Sequence, residues 1–276
     1  MNRTSQTKAI VLSLKEIGEN NFNVTLLTQF QGIIYATLYG GPKSKLKSLV
    51  SQWNSGIIYL YHNPEKNQTK ISDFDVKNYH QTFSSSLFKL YAASLAAEIA
   101  IKTKCAGSNE ECWKLVSGFL DGLELSNEEQ GQVGLVRFLW RYLDLLGIRP
   151  DATYCGRCGK SFLTNAQNQT EAQNPSEIQN LSETKNQIES LQETYYNSID
   201  NIFICQNCAG QEEHFFPLSK DAITYLAAIS VLTPAEVRKL HIDKNAYMQI
   251  KNIAFFLTEN SIESKLNSIE TGTGIL

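Results

Sequence analysis

The sequence predicts an α+β multidomain protein in which a small β-barrel precedes an α-helical bundle that carries an inserted cysteine module. Short strand-like segments separated by turn residues fill the first part of the chain, and helical periodicity follows them. Two Cys-x-x-Cys pairs then lie far apart in the second half. We accordingly divide the chain into a barrel (1–80), a first helical part (81–150), the cysteine module (151–216) and a C-terminal helical part (217–276).

The composition is that of a globular protein long enough for two or three small domains, with 276 residues of which 42% are hydrophobic and 19% charged. Its apolar runs are shorter than the roughly 18 residues that a membrane span requires. Four of the six cysteines have the spacing of metal ligands, and this use of cysteine is typical of a reducing compartment. We therefore expect a cytoplasmic protein.

Charge is distributed unevenly along the chain. The whole sequence has a net charge of −3, but residues 1–80 contain nine Lys or Arg and five Asp or Glu, a net charge of +4. A basic module attached to an acidic remainder indicates a polyanionic partner for the first module.

Five segments of this basic module are short and rich in Ile, Val, Tyr and Thr, with Gly, Asn and Pro between them. They are residues 8–14, 22–28, 33–39, 56–61 and 69–76. Five strands within so short a stretch predict a small closed barrel. The OB-fold is such a barrel, and its outer face and loops commonly bind single-stranded nucleic acid.

The predicted barrel contains both the cations and the rings that such binding requires, because cations contact phosphates while rings stack on bases. Lys43, Lys45 and Lys47 lie in the loop after the third strand. Aromatic residues occur nearby in the sequence, at Tyr35, Tyr39, Trp53, Tyr59 and Tyr61. The alternative interpretation is that the lysines form a solvated loop and that the tyrosines pack in the barrel.

Helical periodicity begins after the barrel. Apolar residues recur at intervals of three and four in three segments, residues 87–101, 113–123 and 136–146. The third segment precedes Gly147, which suits a left-handed helix cap. Arg137 and Arg141 are four residues apart and therefore lie on one helical face. They either extend a basic surface or form the solvated side of the helix.

The two Cys-x-x-Cys pairs have the pattern of a metal site. They consist of Cys155 with Cys158 and Cys205 with Cys208. Each pair brings two sulfurs to one side of a tight turn, and two facing turns complete a closed tetrahedron around one Zn²⁺ ion. Such a site is structural and holds the fold together. We expect Tyr154 and Phe203 to cover the metal; the alternative is a set of free or redox-active thiols.

The interval between the two pairs is unusually long. It contains 46 residues, compared with about 15–20 in common zinc sites. Residues 163–200 are dominated by Asn, Gln, Ser, Thr and Glu, so we predict a disordered polar insert there. A longer loop between two zinc knuckles is tolerated because the entropy of loop closure grows only logarithmically with length.

Helical signals return after the cysteine module. Ser219 is suited to cap a helix that ends near Val231, and Thr233 to Glu236 form a capping box with proline at the first helical position. A last long helix is predicted from about Asn245, and residues 271–276 are expected to fray. We expect these helices to share one core with the first three.

Several short motifs resemble the RecO family of bacterial recombination mediators, which act in the RecF pathway. They are Ala9–Leu12, Gly18-Glu19, Leu27–Gly32, Gly40–Ser44 and the segment Phe138–Cys158, in which Leu145-Leu146-Gly147-Ile148-x-Pro150 leads into the first cysteine pair. The resemblance extends over nearly the whole chain. The long polar insert and the acidic overall charge depart from the family pattern.

The resemblance implies a non-enzymatic function in DNA repair. Members of this family bind single-stranded and double-stranded DNA and anneal complementary strands. They contact the C-terminal tail of the single-strand-binding protein and, with RecR, promote the loading of RecA onto coated single strands. The resemblance therefore also implies association with the nucleoid. The candidate DNA contacts are Lys8, Lys15, Lys43, Lys45, Lys47, Arg137 and Arg141.

Two other functions are compatible with the same residues. An OB-fold protein with a zinc ribbon that binds RNA or takes part in transcription would share the local signals, and relative affinity for DNA and RNA separates the two. A metal-dependent nuclease that uses Asp73 and Asp75 is the enzymatic alternative. Cleavage assays on the wild type and on an Asp-to-Asn variant test it.

Overall fold

The computed structural model describes residues 3–40, 44–105, 107–162, 193–210, 215–262 and 265–276. The chain forms two compact units. Residues 1–148 with 257–276 make up the first unit, and residues 149–256 make up the second. None of the helices in the described ranges combines the length and the apolar character needed to cross a membrane.

The first unit begins with the predicted five-stranded barrel. Its strands are β1 (Thr4–Ile17), β2 (Asn21–Thr28), β3 (Gly32–Tyr39), β4 (Ser55–Asn63) and β5 (Gln68–Asn78). They close in the order β1-β2-β3-β5-β4, and β4 pairs back with β1. Only the short contact of β3 with β5 is parallel among the pairings of this barrel. The predicted OB-type barrel is therefore confirmed.

Alternation along the strands builds the barrel core. Buried aliphatic and aromatic side chains point inwards from all five strands, at Ala9, Val11, Val24, Leu26, Ala36, Leu38, Ile58, Leu60, Ile71 and Phe74. A short helix, α1 (Lys45–Leu49), connects β3 to β4, and its Leu46 and Leu49 pack against this core. The position of the lysine loop is thus set by the apolar residues of α1.

Three helices follow the barrel as predicted. After a short 3₁₀ turn at Gln81–Ser85 come α2 (Leu87–Thr103), α3 (Asn109–Leu125) and α4 (Glu128–Leu145). Ser86, Ser108 and Asn127 cap them, because each side chain accepts a hydrogen bond from the backbone N–H three residues on. Gly147 has φ of 72°, in agreement with its predicted role at the end of the third helix.

Hydrogen bonds connect the barrel to these helices within the first unit. His80 Nδ1 lies 2.8 Å from Trp53 O, and its Nε2 lies 2.9 Å from Asp121 Oδ1. Asn109 Nδ2 donates to Phe30 O at 3.1 Å. The sequence boundary at residue 80 therefore separates two types of element inside one compact unit.

The C-terminus completes the first unit. A short helix, α9 (Asn267–Thr271), receives the Glu98 carboxylate of α2, which accepts from the backbone N–H groups of Asn267 at 2.9 Å and Ser268 at 2.8 Å. The backbone N–H groups of Ile275 and Leu276 both bond to Gly272 O. The expected frayed end is therefore wrong, since residues 272–276 form a hydrogen-bonded turn.

The second unit contains a three-stranded sheet and helices. The strands β6 (Thr194–Asn197), β7 (Ile202–Cys205) and β8 (Phe215–Leu218) lie in the order β7-β6-β8. The helices are α5 (Gln206–Ala209), α6 (Lys220–Val231), α7 (Pro234–Val237) and α8 (Lys244–Ser261), the last of which continues into the first unit. The predicted caps at Ser219 and Thr233 are present.

One prediction about this region is corrected. The polar insert was expected to reach residue 200, but β6 occupies its end, and Tyr196 is buried against Phe203 and Phe216. Residues 163–192 lie outside the described residues. The helices α6 and α7 belong to the same compact unit as the cysteine module, and a core that they share with α2–α4 stays a prediction.

Candidate metal centre and nucleic-acid interface

The first cysteine pair lies in a tight turn that the backbone builds. Cys155 N–H donates to Lys160 O at 2.8 Å, and Gly159 N–H donates back to Cys155 O at 2.9 Å. Gly159 has φ of 71°, which a residue with a side chain rarely adopts. Gly156 lies so close to β7 that an added Cβ would be 2.8 Å from Ile202 Cβ. The turn therefore requires both glycines.

The second pair follows β7 directly. Cys205 ends this strand and precedes α5, which carries Cys208. Cys205 N–H donates to Cys155 Sγ at 3.4 Å, and Arg157 Nη1 donates to Cys208 O at 2.8 Å. Together with the hydrogen bond from Gly156 N–H to Phe203 O at 2.8 Å, these contacts hold the two turns against each other.

The four sulfurs converge on one point. All of the ligand atoms of Cys155, Cys158, Cys205 and Cys208 lie within 4.8 Å of one another. Cys158 Sγ and Cys205 Sγ are 3.7 Å apart. A Zn–S bond of about 2.3 Å implies S–S separations of about 3.8 Å in a regular tetrahedron. The four cysteines can therefore hold a metal ion, and their spacing fits a tetrahedral one.

Two of these thiols have strongly shifted pKa values, in opposite directions. Burial raises the pKa of Cys155, but hydrogen bonds from the backbone of Cys158, Cys205 and Arg157 outweigh it and bring the pKa to about 6. The side-chain hydrogen bonds with Cys205 and Cys158 raise the pKa of Cys208 to about 12. The thiolate of Cys155 therefore forms readily, whereas the thiol of Cys208 resists ionisation. A divalent cation bound to the sulfurs would favour the thiolate form of Cys208.

The residues that pack beside the four sulfurs differ from the two that were expected to cover the metal. Tyr154 is exposed, and Phe203 packs against Tyr196 with ring centroids 5.4 Å apart. The apolar residues that pack with the cysteines are instead Phe162, Tyr195, Ile202, Ile204 and Ala209. Of these, Ile202 and Ile204 alternate with Phe203 along β7, so the face of the strand decided which residue lies beside the sulfurs.

The predicted lysine loop is partly described. Lys43 lies outside the described residues. Lys45 is exposed on α1, whereas Lys47 is half-buried and places Nζ 4.7 Å from the ring centroid of Phe22. The helix has no acidic residue in its first turn. This short helix therefore presents positive charge at one end of the barrel.

The other predicted DNA contacts occupy different environments. Lys15 is exposed on β1, and Lys8 is exposed with Nζ 5.7 Å from the ring centroid of Trp113 on α3. Arg137 and Arg141 are only half-buried overall, but Nε of Arg137 and Nη2 of Arg141 are inaccessible to solvent. The two arginines therefore do not form a fully solvated helix face, and their part in DNA binding stays a prediction.

The aromatic residues of the barrel divide into two groups. Trp53 is 5% exposed and packs edge-on against Phe83, so it belongs to the packing between barrel and helices. Tyr35 and Tyr39 are 57% and 48% exposed on β3. Period-two alternation from the buried Ala36 and Leu38 would have identified these two tyrosines as outward-facing.

The sequence analysis did not include Lys70 among the candidate DNA contacts on the outside of the barrel. It is exposed on β5, opposite Tyr61 on β4, and its Nζ lies 4.7 Å from the ring centroid of that tyrosine. The sequence signal for it was the pairing of two strands, which depends on a register that periodicity does not reveal.

The carboxylates considered for a nuclease have other partners. Asp75 Oδ2 lies 2.8 Å from Lys77 Nζ, and Asp73 Oδ1 accepts from the backbone N–H of Phe74 at 2.8 Å. In the described part of the chain, the four cysteines are the one cluster of three or more potential metal ligands. These contacts are those of an exposed acidic strand edge and do not support the nuclease alternative.

Comparison with known families assigns both parts of the chain. A family described as "Recombination protein O N terminal" matches residues 1–80. A family described as "Recombination protein O C terminal" matches residues 84–270, which include the cysteine cluster. No curated protein matches the chain significantly. Since the two matches extend over nearly its whole length, the chain belongs to the RecO family, and its role is in DNA repair and recombination.

Proposed function

We propose that this chain is a non-enzymatic mediator of recombination that binds single-stranded and double-stranded DNA and anneals complementary strands. The observation that carries the proposal is the closed OB-type barrel with the acid-free helix α1 at one end, within a chain of the RecO family. Barrels of this type bind oligonucleotides on their outer face and in their loops. The exposed Lys45 and its neighbours supply the positive charge.

Annealing follows from neutralised phosphate repulsion. Two strands that approach each other carry like charges, and lysines on one protein surface reduce that repulsion while base pairing supplies the specificity. The protein needs no group that breaks a covalent bond. With roughly three to five phosphate contacts, the slope of log affinity against log salt for single strands is about −2 to −3.5.

The metal that we propose for the cysteine cluster is one structural Zn²⁺ ion. Four thiolates leave no open coordination position, so the ion stabilises the fold of the second unit and does not activate water or substrate. Cys155, Cys158, Cys205 and Cys208 would hold it, and the backbone hydrogen bonds to sulfur would set their orientation.

We further propose the partners that the family implies. They are RecR, the C-terminal tail of the single-strand-binding protein and, indirectly, RecA. Titration of the full chain with an acidic tail peptide at low salt tests the second of these, with saturable binding as the expected result. A flat titration contradicts that partnership and leaves the DNA-binding proposal intact.

The decisive experiment is annealing of complementary oligonucleotides coated with single-strand-binding protein. Addition of the full chain is expected to accelerate annealing strongly at low salt and weakly at high salt. The same protein is then titrated with DNA and RNA strands of equal length. No acceleration together with a preference for RNA would contradict the proposed function and favour an RNA-binding protein.

A further inference from the structure

The four cysteines of the cluster differ in their access to solvent. Cys158 is exposed, whereas Cys155 is only 2% exposed and Cys205 and Cys208 are half-buried. Cys158 lies in the first turn, between two residues that are also exposed. A site whose tetrahedron has no place for a further ligand is therefore still accessible to a molecule from solution at one of its sulfurs.

Backbone hydrogen bonds add to the protection of the buried sulfur. The N–H groups of Arg157, Cys158 and Cys205 donate to Cys155 Sγ, the last of them at 3.4 Å. Such bonds hold a thiolate in place and draw electron density from it, so they lower its strength as a nucleophile. Cys155 is therefore both the least accessible sulfur and one that reacts slowly.

The charge around Cys158 favours its reaction. Arg157 and Lys160 are exposed cations near it in the sequence. The Arg157 guanidinium is kept beside the cluster, since its Nη1 donates to Cys208 O at 2.8 Å and its Nη2 lies 4.0 Å from Asp200 Oδ2. Reactive cysteines lie in electropositive and partly exposed surroundings of this kind, because the thiolate is the nucleophile.

A second sulfur lies within reach of Cys158. Cys205 Sγ is 3.7 Å from Cys158 Sγ and belongs to the other Cys-x-x-Cys pair. An S–S bond is about 2.0 Å long, so the two sulfurs need to approach each other by about 1.7 Å to form one. A disulfide between them would take two of the four ligands away from the metal.

We propose that Cys158 is a peroxide-reactive residue through which oxidation of the cluster releases its metal ion. This inference rests on the proposed function, because it requires the proposed structural Zn²⁺ ion. The Cys158 thiolate attacks one oxygen of hydrogen peroxide, the O–O bond breaks, and a sulfenic acid forms as hydroxide leaves. The Cys205 thiolate then attacks the sulfenic sulfur, forms the disulfide and displaces a second hydroxide. The two thiolates together lose two electrons, which the two peroxide oxygens gain.

Release of the metal should unfold the second unit selectively. Two sulfurs remain, too few to close a tetrahedral site, and metal binding is coupled to folding in modules of this kind. The barrel belongs to the other compact unit and contains none of the four cysteines. We therefore expect oxidation to unfold the cysteine module and to leave the barrel folded, and a thiol reductant with added Zn²⁺ to restore the module.

The test treats the full chain, purified with its metal, with hydrogen peroxide. A coloured chelator reports the released zinc, and the remaining thiols are alkylated in denaturant at each time point for peptide mass spectrometry. The Cys158–Cys205 disulfide should appear at the rate of zinc release, one disulfide for each ion released. Cys105 and Cys112 are 1% and 0% exposed and lie outside the cluster, so they should stay reduced as internal controls.

The matched variant is Cys158→His, because histidine can bind zinc in place of a cysteine but cannot form a disulfide. It should retain the ion and release it several-fold more slowly under peroxide. Tyr154→Ala, which removes an exposed side chain of the same module, should release zinc as the wild type does.

Two results would overturn the inference. They are a first disulfide that contains Cys155, and zinc release from Cys158→His as fast as from the wild type. If Cys158→His holds no zinc, the peptide map of the wild type decides by itself. A wild-type chain that contains no zinc by elemental analysis would instead contradict the proposed metal, and the inference would fail with it.

Discussion

The barrel and the cysteine module reach stability by different means. The barrel buries a row of aliphatic side chains from every strand, with Val11, Leu26 and Leu38 fully enclosed. Around the cysteines, the fully buried members of the cluster in the described part of the chain are Cys155, Ile204 and Ala209, with partly buried residues packed against them. A cluster so small supplies little hydrophobic free energy, which is why small modules commonly depend on a metal. We therefore expect the barrel to fold without a ligand, and the cysteine module to depend on a bound metal ion for its stability.

The largest expected effect is the loss of the metal. Cys155→Ser removes one thiolate from a site of a kind that contributes roughly 10–16 kcal/mol in isolated zinc-binding peptides. We expect the variant to lack stoichiometric zinc by elemental analysis and to exchange amide hydrogens rapidly in β7. Protection in β1 should persist, because that strand belongs to the other compact unit.

A matched control tests whether the loss of zinc is specific to the cysteines of the cluster. Cys112 is fully buried on α3 and lies outside the cluster. Cys112→Ala should retain one zinc per chain and the protection of β7. Full zinc content in Cys155→Ser would break the comparison, since the module would then hold metal without a complete tetrahedron.

Truncation of a side chain in the barrel core should destabilise the barrel and leave the cysteine module unaffected. Leu38 is completely buried between the strands. Leu38→Ala is expected to lower the free energy of unfolding by about 2–5 kcal/mol, as measured by denaturant titration followed at the barrel amides. Zinc content should not change. A parallel loss of zinc would mean that the two regions are not stabilised independently.

Charge reversal on α1 tests whether the lysines of this helix bind DNA. The Lys45→Glu/Lys47→Glu double variant is expected to reduce the magnitude of the single-strand salt slope by about 1.4, as two phosphate contacts are lost. Annealing should slow at low salt, with only a small fall in the unfolding midpoint from the lost contact of Lys47 with the Phe22 ring. The matched control is Lys239→Glu, an exposed lysine in the second unit. Equal effects of both variants would indicate a general charge effect rather than a site.

The smallest effect is expected at the C-terminal turn of the first unit. The backbone N–H groups of Ser268 and Asn267 and the ammonium of Lys102 lower the pKa of Glu98 below 4.5, although burial acts in the opposite direction. A lowered folded-state pKa stabilises the protein above the unfolded pKa, and this contribution is lost as pH falls through the folded value. Glu98→Gln should therefore cost on the order of 1 kcal/mol at neutral pH.

The measurement is the pH dependence of the difference in unfolding free energy between the wild type and Glu98→Gln. Unfolding free energies of the wild type and Glu98→Gln should differ at pH 7 and converge only when the pH falls below the lowered folded-state pKa of Glu98. A difference that is constant with pH would show that shape rather than charge holds α9. Lys265→Gln, which removes an exposed ion pair with Glu270, serves as the control with little expected effect.

Most elements were predictable because their signals are local. The five strands, α2, α3 and the capped helices at Ser219 and Thr233 match within a few residues, since alternation, helical periodicity and caps act over a few neighbouring positions. The helix α4 was also predicted, but it begins at Glu128, well before the periodic segment 136–146. The end of the polar insert was not predictable. Tyr195 and Tyr196 follow a long polar run, and only pairing with β7 and β8 turns them into a strand.

The spacing of side chains along the chain is sufficient to specify the barrel, the helices and the four cysteines that could hold a metal ion. Which aromatic residues are exposed depends instead on how the folded chain packs. Trp53 is enclosed by Phe83, whereas Tyr35 and Tyr39 face outwards beside Lys70, a residue more than thirty positions away in the chain. Exposure depends on strand register and on what packs against each face, and both are set by contacts between distant residues.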